Sequence, residues 1–192
     1  MIGNPPYVAA PAQIANPILA GQRKRLLKSG LYETLYQKWD LYVPFMEKGL
    51  KMLCKDGSFA MIVPFPLSNQ VYGRNFRKWV TANYNVWEIT DLNGTKIFEN
   101  ATVSNLIMFA KNDGVTDKTT ISHIVPPMSI LPDFTQSISN LVQGNDTAVW
   151  NFTRQKRVPK SHSAMKTLGD FCYISVGMVL NADETKAKGD LP

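Results

Sequence analysis

No two of the 12 glycines stand one residue apart, so the chain lacks the G-x-G turn that wraps a nucleotide-type cofactor. It also lacks a Walker loop and a G-x-S-x-G elbow. Cysteine is nearly absent. Cys54 and Cys172 lie far apart with no C-x-x-C pair, which points to a reducing compartment and to two buried small hydrophobes. Histidine is as scarce: His123 and His162 have no carboxylate or thiol at ligand spacing, so each is expected to be an ordinary histidine and no metal site is expected. There is no apolar run of about 18 residues and no charged-then-apolar leader, so no membrane partner is expected and the expected location is cytoplasmic.

What is present suffices for a core. Hydrophobic residues make up 44% of the 192 positions, while 21 Lys and Arg against 15 Asp and Glu give a net charge of +6, compatible with a polyanionic partner. Residues 8–29 are polar and irregular and carry Arg23-Lys24-Arg25 and Lys28, so they read as a surface insert or mobile loop. From Tyr36 to Cys54 the residues Trp39, Tyr42, Val43, Met46, Leu50 and Leu53 recur at helical spacing, with Asp40 as a possible cap and Pro44 expected to bend the first turn. Ser58 to Val63 reads as a doubly buried strand, and Arg74 to Tyr84 as a short helix with Phe76 and Val80 inward. Val86 to Leu92 and Thr102 to Ala110 read as an antiparallel hairpin at the sheet edge, followed by a strand over Thr119 to Val125. The expected division is 1–125 as one α/β domain, 126–150 as a linker and 151–192 as the start of another domain.

One stretch, Asn4-Pro5-Pro6-Tyr7, carries chemistry. Two prolines fix φ near −65° and push their predecessors toward extended backbone, so the loop is stiff and non-helical. It gathers backbone carbonyls, the Asn4 amide oxygen and a flat ring, which together suit a planar ligand bearing an amino group. A plain proline turn explains the same residues without chemistry.

The segments IGNPPYV, WDLYVPFMEKGLKML, DGSFAMIVP and KIFENATVSNLIMFAK, in this order, resemble the second half of an N6-adenine DNA methyltransferase of the Eco57I/TaqI-like class. The later LGDFCYISVGMVLN resembles the start of such an enzyme's target-recognition region. The resemblance implies the C-terminal half of a Rossmann-like sheet dependent on S-adenosylmethionine, with double-stranded DNA as partner within a restriction-modification system. It implies that Asn4 and Pro5 accept hydrogen bonds from the amino group of a flipped adenine, held in place by Pro6 and flanked by Tyr7 and Phe98. Leu41 and Phe45 match positions bordering the adenine of the cofactor, although a helix packing face explains them as well. Arg23 to Lys28, and Arg154 to Arg157 with Lys160, are candidate phosphate contacts.

In the resembled family a cofactor-binding half precedes the NPPY motif, whereas only Met1 to Gly3 precede it here, so the expectation is a fragment inactive alone, with an open sheet edge through which it self-associates or which its own N-terminal segment covers. Three rivals share these residues: a fused restriction endonuclease and methyltransferase, an NPPY-type protein glutamine methyltransferase, and an N-P-x-Y adaptor-binding module. With no G-x-G loop, isothermal titration of the chain with S-adenosylmethionine should show binding no tighter than about millimolar, roughly 4 kcal/mol. Micromolar binding would overturn that expectation.

Overall fold

Described here is a computed structural model covering residues 1–93, 97, 104–125, 129–144 and 147–154. The chain starts in a two-residue strand β1 (Ile2–Gly3), passes through helices α1 (Ala10–Ala15), α2 (Pro17–Lys28) and α3 (Tyr42–Lys51), and returns in β2 (Ser58–Pro64) parallel to β1. Parallel neighbours need such a crossover. Two 3₁₀ turns lead to α4 (Arg74–Asn83), followed by β3 (Asn85–Asp91), β4 (Asn105–Lys111), β5 (Lys118–Val125) and β6 (Ser129–Ser137). A short helix α5 (Ile138–Leu141) and a two-stranded ribbon, β7 (Val142–Gln143) with β8 (Val149–Trp150), complete the described part.

The six-stranded sheet has the order β1-β2-β4-β3-β5-β6. β4 runs antiparallel between β2 and β3, while β3 pairs parallel with β5. Alternation sends Phe59, Met61 and Val63 of β2 and Leu106, Met108 and Ala110 of β4 into the core. There they meet Tyr42, Val43, Met46 and Leu50 of α3 and Phe76 and Val80 of α4. Both helices therefore bury the stripe that their apolar spacing predicts.

Several expectations are corrected. The β3–β4 hairpin is antiparallel as expected, but it lies inside the sheet, because β5 and β6 extend the sheet past β3. Residues expected within a 126–150 linker supply β6, which pairs with β5 from Lys118↔Ser137 to Val125↔Ser129, and the compact unit runs to Arg154. The α/β assignment itself holds. Residues 8–29 are no loose insert, since they form α1 and α2 and bury Ala10, Gln13 and Arg23. α3 begins at Tyr42 rather than near residue 36, with no side-chain cap at its N-cap Leu41. Pro44 falls in the first turn of that helix, where its missing N–H removes no intrahelical bond. Cys54 is exposed, because it sits in the turn that joins α3 to β2 and its carbonyl accepts from Gly57 N–H. No helix among the described residues is long and apolar enough to cross a membrane.

Candidate active site

The NPPY stretch leaves the carboxyl end of β1. That sheet edge also carries the carboxyl ends of β2 and β3 and the amino end of β4, by their pairing directions. Open α/β sheets bind ligands at this edge, where loops and the positive ends of following helices converge. Pro5 is buried, whereas Asn4 and Pro6 are exposed, so the Asn4 amide stands clear on a buried, rigid footing. Tyr7 is half-buried and its hydroxyl donates to the Ile62 carbonyl at 3.0 Å, which pins the ring to β2. Asn105, buried at the start of β4, faces the same hydroxyl. The Tyr7 ring meets Tyr42 edge-on at 6.2 Å and 77°, and the Tyr42 and Tyr72 hydroxyls share a hydrogen bond of 2.8 Å. Burial pushes the Tyr7 phenol above its ordinary 10.0, with Asn105 pulling down and the Asp40 charge adding to the rise. The phenol therefore stays neutral near pH 7 and serves as a donor and a flat face.

Leu41, the N-cap of α3, and Phe45, one turn further on, border a cavity of about 280 Å³ together with Met1, Pro44, Gly49 and Met61. Phe45 keeps 49% of its surface exposed, unusual for a large ring on an otherwise buried helix. A second cavity of about 410 Å³ shares Leu41 and Phe45 and adds Gln22 and Arg25 of α2. A mainly apolar recess, with the exposed Phe45 ring and with Tyr32 and Lys48 also on its lining, fits the planar base of a nucleoside cofactor, so the residues present agree with that part of S-adenosylmethionine. The structure joins this wall to the NPPY stretch directly, because Leu41 N–H donates to the Val8 carbonyl at 3.1 Å.

Phe98 lies outside the described residues. Their boundaries still locate the ends of its connection. Ser104 Oγ donates to Asn93 Oδ1 at 2.9 Å, Phe65 N–H donates to Ser104 O at 2.8 Å, and Leu92 N–H donates to Asn105 O at 3.1 Å. The chain thus departs at Asn93 and returns at Ser104 on the edge that holds NPPY.

Of the expected phosphate contacts, Arg23 is removed by the structure. Its guanidinium lies 3.8 Å over the Trp39 ring and donates to Gln13 Oε1, Trp39 O and Gln37 O at 3.0, 2.9 and 2.8 Å. It is a buried strut between α2 and the segment before α3. Arg25 remains exposed at the mouth of the second cavity. Arg154 is exposed but already bonded to Asp133 through a carbonyl and a carboxylate oxygen, and the rest of its cluster lies outside the described residues. His123 is half-exposed, 3.4 Å from the same Asp133 carboxylate.

Sequence reasoning missed the part played by Asp40. Its Oδ1 accepts from Val8 N–H at 3.0 Å, tying the residue after Tyr7 to the segment before α3. The signal available was an acid placed immediately before the helix that carries Leu41 and Phe45. It was read as a cap for its own helix.

A family model described as Eco57I restriction-modification methylase matches residues 1–98, half of the chain. Type II methyltransferase M.BstVI of Geobacillus stearothermophilus is 38% identical over 100 residues, 52% of this chain and 17% of that protein. Type II methyltransferase M.PaeR7I of Pseudomonas aeruginosa is 31% identical over 104 residues, 54% of this chain and 17% of that protein. The chain thus spans about a sixth of the length of these curated relatives. Among solved structures, a modification subunit of a putative type I restriction enzyme from Vibrio vulnificus superposes with a TM-score of 0.55 at 12% identity, over 78% of this chain and 35% of that one. The type IIL restriction-modification enzyme MmeI in complex with DNA gives 0.52 at 16% identity, over 73% of this chain and 18% of that one. These likenesses establish the fold.

Proposed function

The chain belongs to the Eco57I family of restriction-modification methylases, and from that premise we propose that it supplies the base-binding half of a DNA adenine-N6 methyltransferase active site. The observation that carries the reading is the state of the NPPY stretch: Asn4 exposed above buried Pro5 at the carboxyl end of β1, with Tyr7 anchored 3.0 Å from the Ile62 carbonyl. An exocyclic amino group has two N–H donors, and the Asn4 side-chain oxygen with the Pro5 carbonyl offers two acceptors on a backbone that the prolines hold still. Bonds to both acceptors turn the nitrogen lone pair outward. Tyr7 offers one stacking face, and Phe98 is assigned the other. Stacking of this kind is worth about 1–3 kcal/mol per base, comparable with the few kcal/mol spent on extracting a base from the duplex.

The cofactor of this reaction is S-adenosylmethionine, which supplies an electrophilic methyl group when bound. On this chain Leu41 and Phe45 would hold its adenine, with the cavity between Met1, Pro44 and Met61 taking the apolar face. The chain's own contribution is positioning. It fixes the acceptor nitrogen, excludes water with tyrosine rings and needs no titrating side chain in the NPPY stretch.

The direct test is product identity. The protein carrying these residues is incubated with duplex DNA and methyl-labelled S-adenosylmethionine, and the nucleosides are separated after digestion. Label in N6-methyladenine is expected. Label in N4-methylcytosine, or in a protein glutamine in place of DNA, would overturn the adenine assignment.

A further inference from the structure

Val8 directly follows Tyr7. Both of its main-chain groups are held by other parts of the chain. Its N–H donates to Asp40 Oδ1 at 3.0 Å, and its carbonyl accepts from Leu41 N–H at 3.1 Å and from Gln13 Nε2 at 2.6 Å. Gln13 also donates to Trp39 O at 3.3 Å, and its own oxygen accepts from Arg23 at 3.0 Å. Gln13, Arg23 and Trp39 are all buried. A polar lattice from α1, α2 and the segment before α3 therefore converges on the two peptide groups of Val8, the first of which joins it to Tyr7.

Asp40 is the ionisable member nearest the NPPY stretch. Its carboxylate lies among the backbone amides of Tyr42, Val8 and Leu41, with the Tyr7, Tyr42 and Tyr72 phenols around it and Arg77 beyond Tyr42 and Tyr72. Desolvation dominates and pushes the carboxyl above its ordinary 3.8, with the amides opposing. A carboxyl raised on folding adds stability that is full at low pH and is lost as pH rises from about the unfolded value through the folded one. What ties Asp40 to the site is geometry: its Oδ1 accepts from the amide that follows Tyr7, across 32 positions of the chain.

We infer that Asp40 is a positioning residue, whose carboxylate fixes the Val8 amide and thereby sets the Tyr7 ring against the wall formed by Leu41 and Phe45. This rests on the reading of Asn4 to Tyr7 as the base-binding stretch. The chemistry requires such a brace: two rings and two acceptors can hold a base in line only if the loop bearing them does not drift relative to the cofactor wall.

The test is amide hydrogen exchange by NMR on the 192-residue chain, alongside methyl-transfer kinetics of the protein that carries it. Asp40→Ala should speed exchange at Val8 at least tenfold relative to the β2 amides, leaving the β2 and β4 amides as they are. Asp40→Asn, whose side-chain oxygen still accepts, should keep Val8 within about threefold of the original. In kinetics, Asp40→Ala should lower kcat about tenfold with little change in DNA affinity, and Asp40→Asn should restore most of it. Unchanged protection of Val8 in Asp40→Ala, equal loss at Val8 in both variants, or loss spread uniformly over the sheet would overturn the inference. Val8 exchange needs neither DNA nor cofactor. A failed adenine assignment would therefore show in the methylated product and leave the exchange result standing.

Discussion

Methyl transfer by an Asn4→Ala variant is expected to fall about 10²–10³-fold while its affinity for DNA stays within about threefold. The side chain is exposed at the head of a rigid loop, so its removal opens no cavity and leaves no buried partner unsatisfied. Its loss is felt where the amino group must be oriented. The Pro5 carbonyl alone can accept only one of the two N–H bonds, leaving the nitrogen free to rotate its lone pair away from the line of transfer. Removing one preorganised polar contact from a reacting centre typically costs about 3–4 kcal/mol of transition-state stabilisation. In protein–DNA complexes phosphate contacts supply a large share of the affinity, so on the proposed role binding and turnover should separate. A filter-binding isotherm and a single-turnover methylation course on the same preparation measure both quantities. A variant that methylates at the parent rate, or loses DNA binding in proportion to rate, would remove Asn4 from the role assigned to it.

The parts of the fold legible in the sequence are those whose burial is apolar and periodic. Phe76 and Val80 on α4 and Tyr42, Val43, Met46 and Leu50 on α3 declare a face, and each is buried; β2 reads as apolar on both faces, but its burial alternates, with Phe59, Met61 and Val63 buried and Ala60 and Ile62 only partly so. α1 and α2 carry no apolar stripe, because what they bury is the small Ala10 with the polar Gln13 and Arg23, while Ile14, Ile18 and Leu27 face outward. A helix pair that buries polar groups and exposes apolar ones inverts the pattern on which the reading depends. The cap was nevertheless visible: Asn16 precedes Pro17, and its side chain accepts from Ile18 and Leu19 N–H at 3.0 and 3.2 Å. Strand β6 was hidden by its composition, with Pro132 inside it and exposed residues along most of its length.

The candidate site divides along the same line. Local stiffness made Asn4 to Tyr7 readable, because two prolines dictate backbone geometry without reference to the rest of the chain. The Val8–Asp40 bond spans 32 positions and the Tyr7–Ile62 bond 55. No local pattern announces either contact, so they emerge only once the crossover has placed β1 beside β2.

Replacing Arg77 with Ala should be the most destabilising single change in the compact unit, about 3–5 kcal/mol. The side chain is fully buried, yet its described partners are main-chain carbonyls and no carboxylate. Nε donates to Ala148 O at 2.6 Å, one terminal nitrogen to Leu67 O and Gln70 O at 2.6 and 2.9 Å, and the other to Thr147 O at 2.7 Å. One guanidinium thus ties the turn after β2 and the amino end of α4 to the segment entering β8. Truncation would leave those carbonyls buried without donors and add a cavity. A Lys substitution should recover only part of the loss, since three donors on one nitrogen cannot span the fork. Gly73 supports the same device: a Cβ there would meet an Arg77 terminal nitrogen at 2.6 Å and Leu67 O at 2.8 Å, so Gly73→Ala should weaken the clamp from the other side. Burial lowers the Arg77 pKa from 12.5 to about 10, which leaves it charged through neutral pH. A base lowered on folding gains stability only as pH climbs through that lowered value. The deficit of Arg77→Ala should therefore be flat from about pH 5 to 9, unlike that of a carboxylate ion pair, which fades on acidification as its acid protonates. Urea unfolding at several pH values, read as a fall in midpoint at constant slope, measures it. A deficit under about 1 kcal/mol, or one that shrinks toward pH 5, would show that the carbonyl clamp does not hold this unit together.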